Sequence, residues 1–421
     1  MIERIRLLPD VTLWAMQTQK FKTGCFSINF LRPHCRRTAA LDALLPNVLL
    51  RGTERYPSIG SISTRMDELY GASFGTLARL KGEVKMIGFY ADYIEDAFLP
   101  DGDKVFAPLL DFTEQVLYHP ATENGLFSAQ SVEGEKQNLI NAIEAALNDK
   151  RAYAAQRLRQ IMCSEEAFGV PRLGFSEDVE KITPESLMAH YREVLSSSAV
   201  RVFYAGRLSP TEAAEHFRAL FAGRERKPCV PVSTQVIRSA QTVHEVSEPM
   251  DVTQGKLVIG LRTGITAADP DYPALMLLNA VYGAGITSKL FVNVREKLSL
   301  CYYAASSLEK NKGILQVASG IEFEQYETAK NAILQELEAC RRGEITDEEL
   351  FSAREQILSA LRSAMDSPVR LDDYYMSCLD EHAPDMEALI EQVRALTKED
   401  VVRAAQKLTT DTIYFLKGAE V

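Results

Sequence analysis

The chain repeats its own plan in its two halves, and this narrows the folds open to it. Gly24 to Arg32 (GCFSINFLR) has a counterpart in Gly255 to Arg262 (GKLVIGLR), and Met66 to Phe74 (MDELYGASF) in Val294 to Tyr302 (VREKLSLCY). Ile182 to Leu187 (ITPESL), which leads into VRVFYAG, is echoed by Leu396 to Val401 (LTKEDV), which leads into TIYFLKG. Repeats this long are duplicated domains, because solenoid repeats recur every ~20 to 50 residues. A length of 421 residues also exceeds what one hydrophobic core usually serves. Between the halves, Arg224 to Thr234 (RERKPCVPVST) combines a charge cluster with two prolines, the composition of a linker. The expected division is a domain over 1–223, a linker over 224–240 and a domain over 241–421.

Apolar residues at Phe26, Ile28 and Phe30 alternate across a pleat, so Val11 to Phe30 reads as strands broken by the turn-forming Lys22-Thr23-Gly24. The spacing predicts helices over 38–50, 61–69, 106–117 and 130–147, and paired strands over 72–91. A further helix over 184–195 starts at Thr183-Pro184, a pair suited to an N-cap and first turn, and a strand follows over 199–205. The class is α+β. Lys plus Arg number 47 against 58 Asp plus Glu, a net charge of −11, which argues against a phosphate-binding surface and so against a nucleic-acid partner. The stretch MIERIRLLPDVTLW fits neither a secretory signal nor a membrane span, so a cytoplasmic chain without a membrane partner is expected. Seven cysteines, odd in number and without a C-x-x-C pair, are expected to be reduced and mostly buried.

From Ala39 the sequence AALDALLPNVLLRGT runs through a helical, apolar stretch into Gly52-Thr53. It resembles the signature of the pitrilysin/insulinase-type metallopeptidases, the inverzincins, where a helix bearing H-x-x-E-H leads to an apolar run and a Gly-Thr turn. Setting Gly52-Thr53 on that turn puts Ala43 and Asn47 where the two His ligands would stand, and Pro46 where the Glu general base would stand. Zinc hydrolysis needs about three protein ligands, an open position for water and a base. Ala43 and Pro46 supply neither, and the amide of Asn47 is a poor exchange for imidazole. Pro46 also predicts a kink or a helix boundary. On the helix that holds the family's third ligand, the same comparison puts Glu135 on a retained upstream acid and Ala142 on the ligand. Glu144 enters only in a register that turns Leu139, Ile140 and Ile143 to the wrong face. No metal and no cofactor is expected in this chain.

The second half keeps what the first has lost. Gly283 to Tyr302 (GAGITSKLFVNVREKLSLCY) is similar to the family's C-terminal pattern, a Gly-rich turn before a helix ending R-E-K-x-x-L-x-Y. There the Arg and Tyr bind the substrate backbone and help to stabilise the tetrahedral intermediate. The resemblance carries those roles to Arg295 and Tyr302, whose guanidinium and phenol can be aimed at a carbonyl oxygen as charge develops on it. Ser299 departs from the usual Gly, and Lys289 from the usual Arg. His190 and Glu193 read as an exposed i,i+3 pair, and Cys378 to His382 (CLDEH) as a helix end before Ala383-Pro384.

The resemblance implies two homologous domains of the mitochondrial-processing-peptidase-like type, each a mainly antiparallel sheet covered by helices on one face. It implies a non-catalytic, zinc-less subunit of a heterodimeric zinc peptidase that contributes Arg295 and Tyr302 to its partner's site. Zinc is then expected only in the partner chain, a zinc-bearing homologous subunit, with a peptide as substrate and a homodimer as the assembly of the isolated chain. Within the family the chain looks most like zinc-less members of Gram-positive bacteria that have been linked to 5-aminopentanol modification of elongation factor P. The alternative is a peptide-binding or structural scaffold without any peptidase role.

Overall fold

The computed structural model describes residues 2–100, 102–380 and 384–419. The chain starts with β1 (Glu3–Leu8), β2 (Val11–Gln17), β3 (Thr23–Pro33), α1 (Arg36–Leu49), α2 (Ile59–Glu68), β4 (Ser73–Lys81) and β5 (Val84–Ile94). Helices α3 (Phe106–Tyr118), α4 (Ala129–Ala145), α5 (Lys150–Met162), α6 (Ser176–Glu180) and α7 (Pro184–Ser197) come next, then β6 (Ala199–Gly206) and α8 (Pro210–Phe221). The second half gives β7 (His244–Met250), β8 (Gly255–Arg262), α9 (Tyr272–Tyr282), a π-helical segment (Leu290–Lys297), β9 (Cys301–Glu309) and β10 (Ile314–Ile321). It ends with α10 (Tyr326–Arg341), α11 (Asp347–Ala364), α12 (Pro368–Met376), α13 (Met386–Ala395), α14 (Lys398–Lys407) and β11 (Thr409–Gly418).

Two compact units result, and each is drawn from both halves of the chain. The first comprises 1–144, 170–233 and 367–377; the second comprises 145–169, 234–366 and 378–421. The contiguous division expected at one linker leaves out the two short exchanged stretches, 145–169 and 367–377, which carry α5 and α12.

The first unit has a six-stranded sheet in the order β1-β2-β6-β3-β5-β4, with β2 and β6 parallel and all other pairs antiparallel. The second has a five-stranded sheet in the order β7-β11-β8-β10-β9, with only β7 and β11 parallel. Without β1 the two orders coincide strand for strand, so the sequence repeat is a repeat of topology. Helices α7 and α14 show it locally. Each opens with a capping box, Thr183 with Ser186 and Thr397 with Asp400, which satisfies amides the first turn leaves unpaired. Each is followed by the strand that makes its sheet's parallel pair.

Strand β3 is buried along nearly its whole length because both of its faces are covered. Phe26, Ile28 and Phe30 belong to the apolar core, together with Ala43, Leu44 and Val48 of α1 and Phe217 of α8. The alternate residue Ser27 faces the other way and donates to Asp372 of α12 at 2.5 Å; Arg79 pairs with the same carboxylate. In the second unit α5 covers the corresponding face, where Ala154 and Leu158 pack on Val258, Tyr414 and Leu416. The buried Arg262 ties this segment down, bonded to Glu166 and Asp411 at 2.7 Å each, and Lys312 reaches Glu166 at 2.5 Å. Gly260 sits under α5, where a Cβ would come within 2.6 Å of the Met162 sulfur.

Pro46 is not a helix boundary. Helix α1 continues to Leu49, and the Leu50 N–H donates to the Pro46 carbonyl at 3.3 Å. Proline removes one donor, and a helix that buries Leu44, Leu45, Val48 and Leu49 keeps its stability from packing. All seven cysteines are free, and five of them are buried. Among the described residues no helix is long and apolar enough to cross a membrane.

Candidate functional site

The positions matching a zinc site lie in the first unit. Ala43 and Pro46 are buried in α1 and offer no donor atom. The Asn47 amide nitrogen donates back to the Ala43 carbonyl at 3.3 Å, and its oxygen accepts from Thr76 of edge strand β4 at 3.0 Å. Its one metal-capable atom is thus already in use. Glu135 accepts from Arg51, at the end of α1, and from Asn138 at 3.2 Å. Ala142 and Glu144 lie on the exposed side of α4. Among the described residues no three His, Cys, Asp or Glu side chains are grouped to hold a metal ion. Zinc, which the fold family implies, does not fit these residues.

One other motif residue differs from expectation. His190 is buried rather than exposed: its Nε2 lies 2.9 Å from Asp42, while Glu193 binds Arg32 at 2.8 Å. The pair is split because α7 lays its His against α1 and its Glu against β3. Cys378 is buried, and His382 lies outside the described residues.

Arg295 and Tyr302 lie in the second unit on irregular backbone. Leu290–Lys297 is a π-helix, and the Leu298 N–H reaches the Asn293 carbonyl, five residues back, at 3.1 Å. The Arg295 guanidinium rests 4.5 Å over the Phe291 ring and 3.5 Å from Glu296. Ser299, where the family usually has Gly, is in the left-handed region at φ 51°; its first-half counterpart Gly71 has φ 71°. Lys289, the other departure, is buried and pairs with Glu349 at 2.9 Å. On edge strand β9, Tyr303 pairs with Gly320 and Cys301 with Ile321, so Tyr302 is the extra residue of a bulge. It is 63% exposed, and its hydroxyl donates to Glu322 at 2.7 Å. That hydrogen bond holds the phenol pKa above its usual value, so Tyr302 stays a donor.

The first-half copy of this element shares the left-handed turn, at Tyr70 (φ 58°) and Gly71, and is otherwise regular. Helix α2 is an ordinary α-helix with a capping box, β4 pairs with β5 without a register shift, and Phe74, the counterpart of Tyr302, packs on Phe89 and Phe112.

Tyr302 lines a cavity of about 640 Å³ with Glu322, Lys150, Gln254, Lys256 and Asp251. Arg295 does not join this lining. Sequence reasoning singles out none of the other five. They come from the start of α5, the β7–β8 turn, the start of β8 and the end of β10, and only the crossing of α5 over β8 brings them together, so no local spacing marks them.

A family model described as "Peptidase M16 inactive domain" matches residues 181–357. The chain is 33% identical over 411 residues to the "Probable inactive metalloprotease YmfF" of Bacillus subtilis (strain 168), spanning 97% of this chain and 96% of that protein. The crystal structure of a conserved protein from Enterococcus faecalis V583 is similar at TM-score 0.92 and 28% identity, over 99% of both chains. That of a peptidase M16 inactive domain from Pseudomonas fluorescens has TM-score 0.81 and 18% identity over 100% of this chain and 99% of that one, a likeness of fold. The chain therefore belongs to the M16 peptidase family, the pitrilysin/insulinase type, and resembles its inactive members.

Proposed function

We propose that this chain is the non-catalytic subunit of a two-chain zinc peptidase, presenting Arg295 and Tyr302 to peptide bound in a zinc-bearing partner's site. The carrying observation is the irregular backbone between residues 290 and 302. A π-helix, a left-handed Ser and a bulge follow one another there, and they leave a tyrosine in solvent. Each deviation costs stability, and such deviations gather where a side chain must be re-aimed. The copy in the first unit fills the same role in the fold with an ordinary α-helix and no bulge, keeping only the left-handed turn, so packing alone does not demand the π-helix or the bulge. Seven free cysteines suit a reducing cytoplasm, where we place the complex.

The test is co-expression with a homologue carrying an intact H-x-x-E-H, followed by metal analysis and peptide turnover. Zinc is expected to follow the partner, with the isolated chain near zero and inactive. Arg295→Ala and Tyr302→Phe should each lower turnover by about 10² to 10³ with the complex unchanged in size, as for loss of a donor aimed at a developing oxyanion. Variants that assemble and cleave at the wild-type rate would favour the scaffold reading, in which the same surface binds peptide without chemistry. About one zinc per isolated chain, with activity, would overturn both.

A further inference from the structure

We infer that the cavity beside Tyr302 is a subsite for a peptide carboxylate, either a C-terminus or an acidic side chain, held by Lys150 and Lys256. The inference rests on the reading of Tyr302 as a peptide-facing group. The two lysines differ from most others described in the same unit in what they bind, although Lys297 also donates to a neutral oxygen, that of Asn293, at 3.0 Å, outside this cavity. Lys289, Lys312, Lys330 and Lys407 all form ion pairs, with Glu349, Glu166, Glu245 and Asp271 respectively. Lys150 instead donates to the Leu147 carbonyl at 2.8 Å, and Lys256 to the Gln254 side-chain oxygen at 2.5 Å, both neutral acceptors.

The carboxylates nearby are committed or peripheral. Asp149 caps α5 by accepting from the Arg151 and Ala152 amides at 3.1 and 3.0 Å. Glu322 accepts the Tyr302 hydroxyl, and Asp251 is exposed at the rim. Lys256 is half-buried, and desolvation lowers its pKa, with Asp149 opposing. A cation partly out of water and bonded to neutral oxygens gains from an incoming anion. A singly charged carboxylate suits the site better than a phosphate, because Glu322 and Asp251 flank the lysines and the chain carries −11 overall. The volume also exceeds what one side chain or chain terminus needs.

The experiment titrates full-length chain at low salt with three labelled peptides of otherwise identical sequence. One is capped at both ends and carries one Glu, one is capped with Gln in its place, and one has Gln and a free C-terminus. The Glu peptide, the free-ended peptide or both should bind about tenfold or more tighter than the capped Gln peptide, the scale of a charge-assisted hydrogen bond. Which one gains identifies the source of the carboxylate. Lys150→Gln/Lys256→Gln should remove the preference at unchanged melting temperature, and Lys256→Arg should keep it. Equal binding of all three peptides, binding of none, or a preference that survives the double variant overturns the inference. Turnover with the zinc-bearing partner separates the two claims: a chain indifferent to peptide charge whose Tyr302→Phe still slows cleavage refutes only the carboxylate subsite.

Discussion

Lys85 is fully buried in β5, its ammonium donating to the Arg172 carbonyl. Burial pulls its pKa from 10.5 down to about 8, with the charge of Asp42 opposing and that of Arg172 assisting. Between those two values the unfolded chain holds a proton that the folded chain has released, so stability rises with pH across that window. Below about pH 8 the folded chain carries a buried ammonium and the cost is complete; above about pH 10.5 both states are neutral and it vanishes. The difference between the two pKa values corresponds to about 3 kcal/mol. Lys85→Met should therefore flatten the rise in urea midpoint between pH 8 and 10.5 and be the more stable form at pH 7. Parallel pH profiles for the two proteins would show that the lysine is solvated or paired in a way its burial does not convey.

At the scale of elements, α12 is held on the second face of its sheet by Asp372. This carboxyl is fully buried, and burial raises its pKa against the opposing effects of Arg79 and Ser27. Asp372→Ala strands Arg79 in a mostly buried position and should cost about 3 to 5 kcal/mol in urea unfolding. The neighbouring Asp373, 61% exposed in its pair with Lys81, should cost about 0 to 1 kcal/mol on the same change. Equal effects would mean that α12 is held by its apolar side chains alone. The same helix marks the limit of what the sequence conveys. Alternation in β3, the capping residue Thr183, and the paired strands were legible because each depends on near neighbours in the chain. The assignment of α5 and α12 to the second faces was not, since periodicity tells which side of a helix is apolar and not which sheet it covers. Pro46 did not end α1, because packing kept the helix continuous. Arg295 and Tyr302 were legible as a motif, but the bulge arises from pairing with β10 and the lysine cavity from topology, neither of which leaves a local pattern.

At the scale of the molecule, each unit needs a segment from the other half of the sequence. For the first unit that segment is 367–377, and its contribution can be weighed. Leu371, Tyr375 and Met376 are at most 3% exposed. Tyr375 stacks on Phe203 with ring centroids 6.1 Å apart and meets the edge of Trp14 at 6.3 Å. Burial of three such side chains contributes about 5 to 9 kcal/mol, as much as the whole net stability of many domains, about 5 to 15 kcal/mol. A fragment ending at residue 233 loses that contribution and also exposes Phe203, Trp14 and the polar row of Ser27 and Asn29. Expressed alone, 1–233 should aggregate or lack a cooperative melt, although it contains every strand of its sheet. Co-expressed with 234–421 it should be recovered as a soluble complex, because each fragment then supplies the helix that the other's sheet requires. A monomeric 1–233 that melts cooperatively near the full-length temperature would mean that the second face is dispensable, and that the linker alone divides the chain.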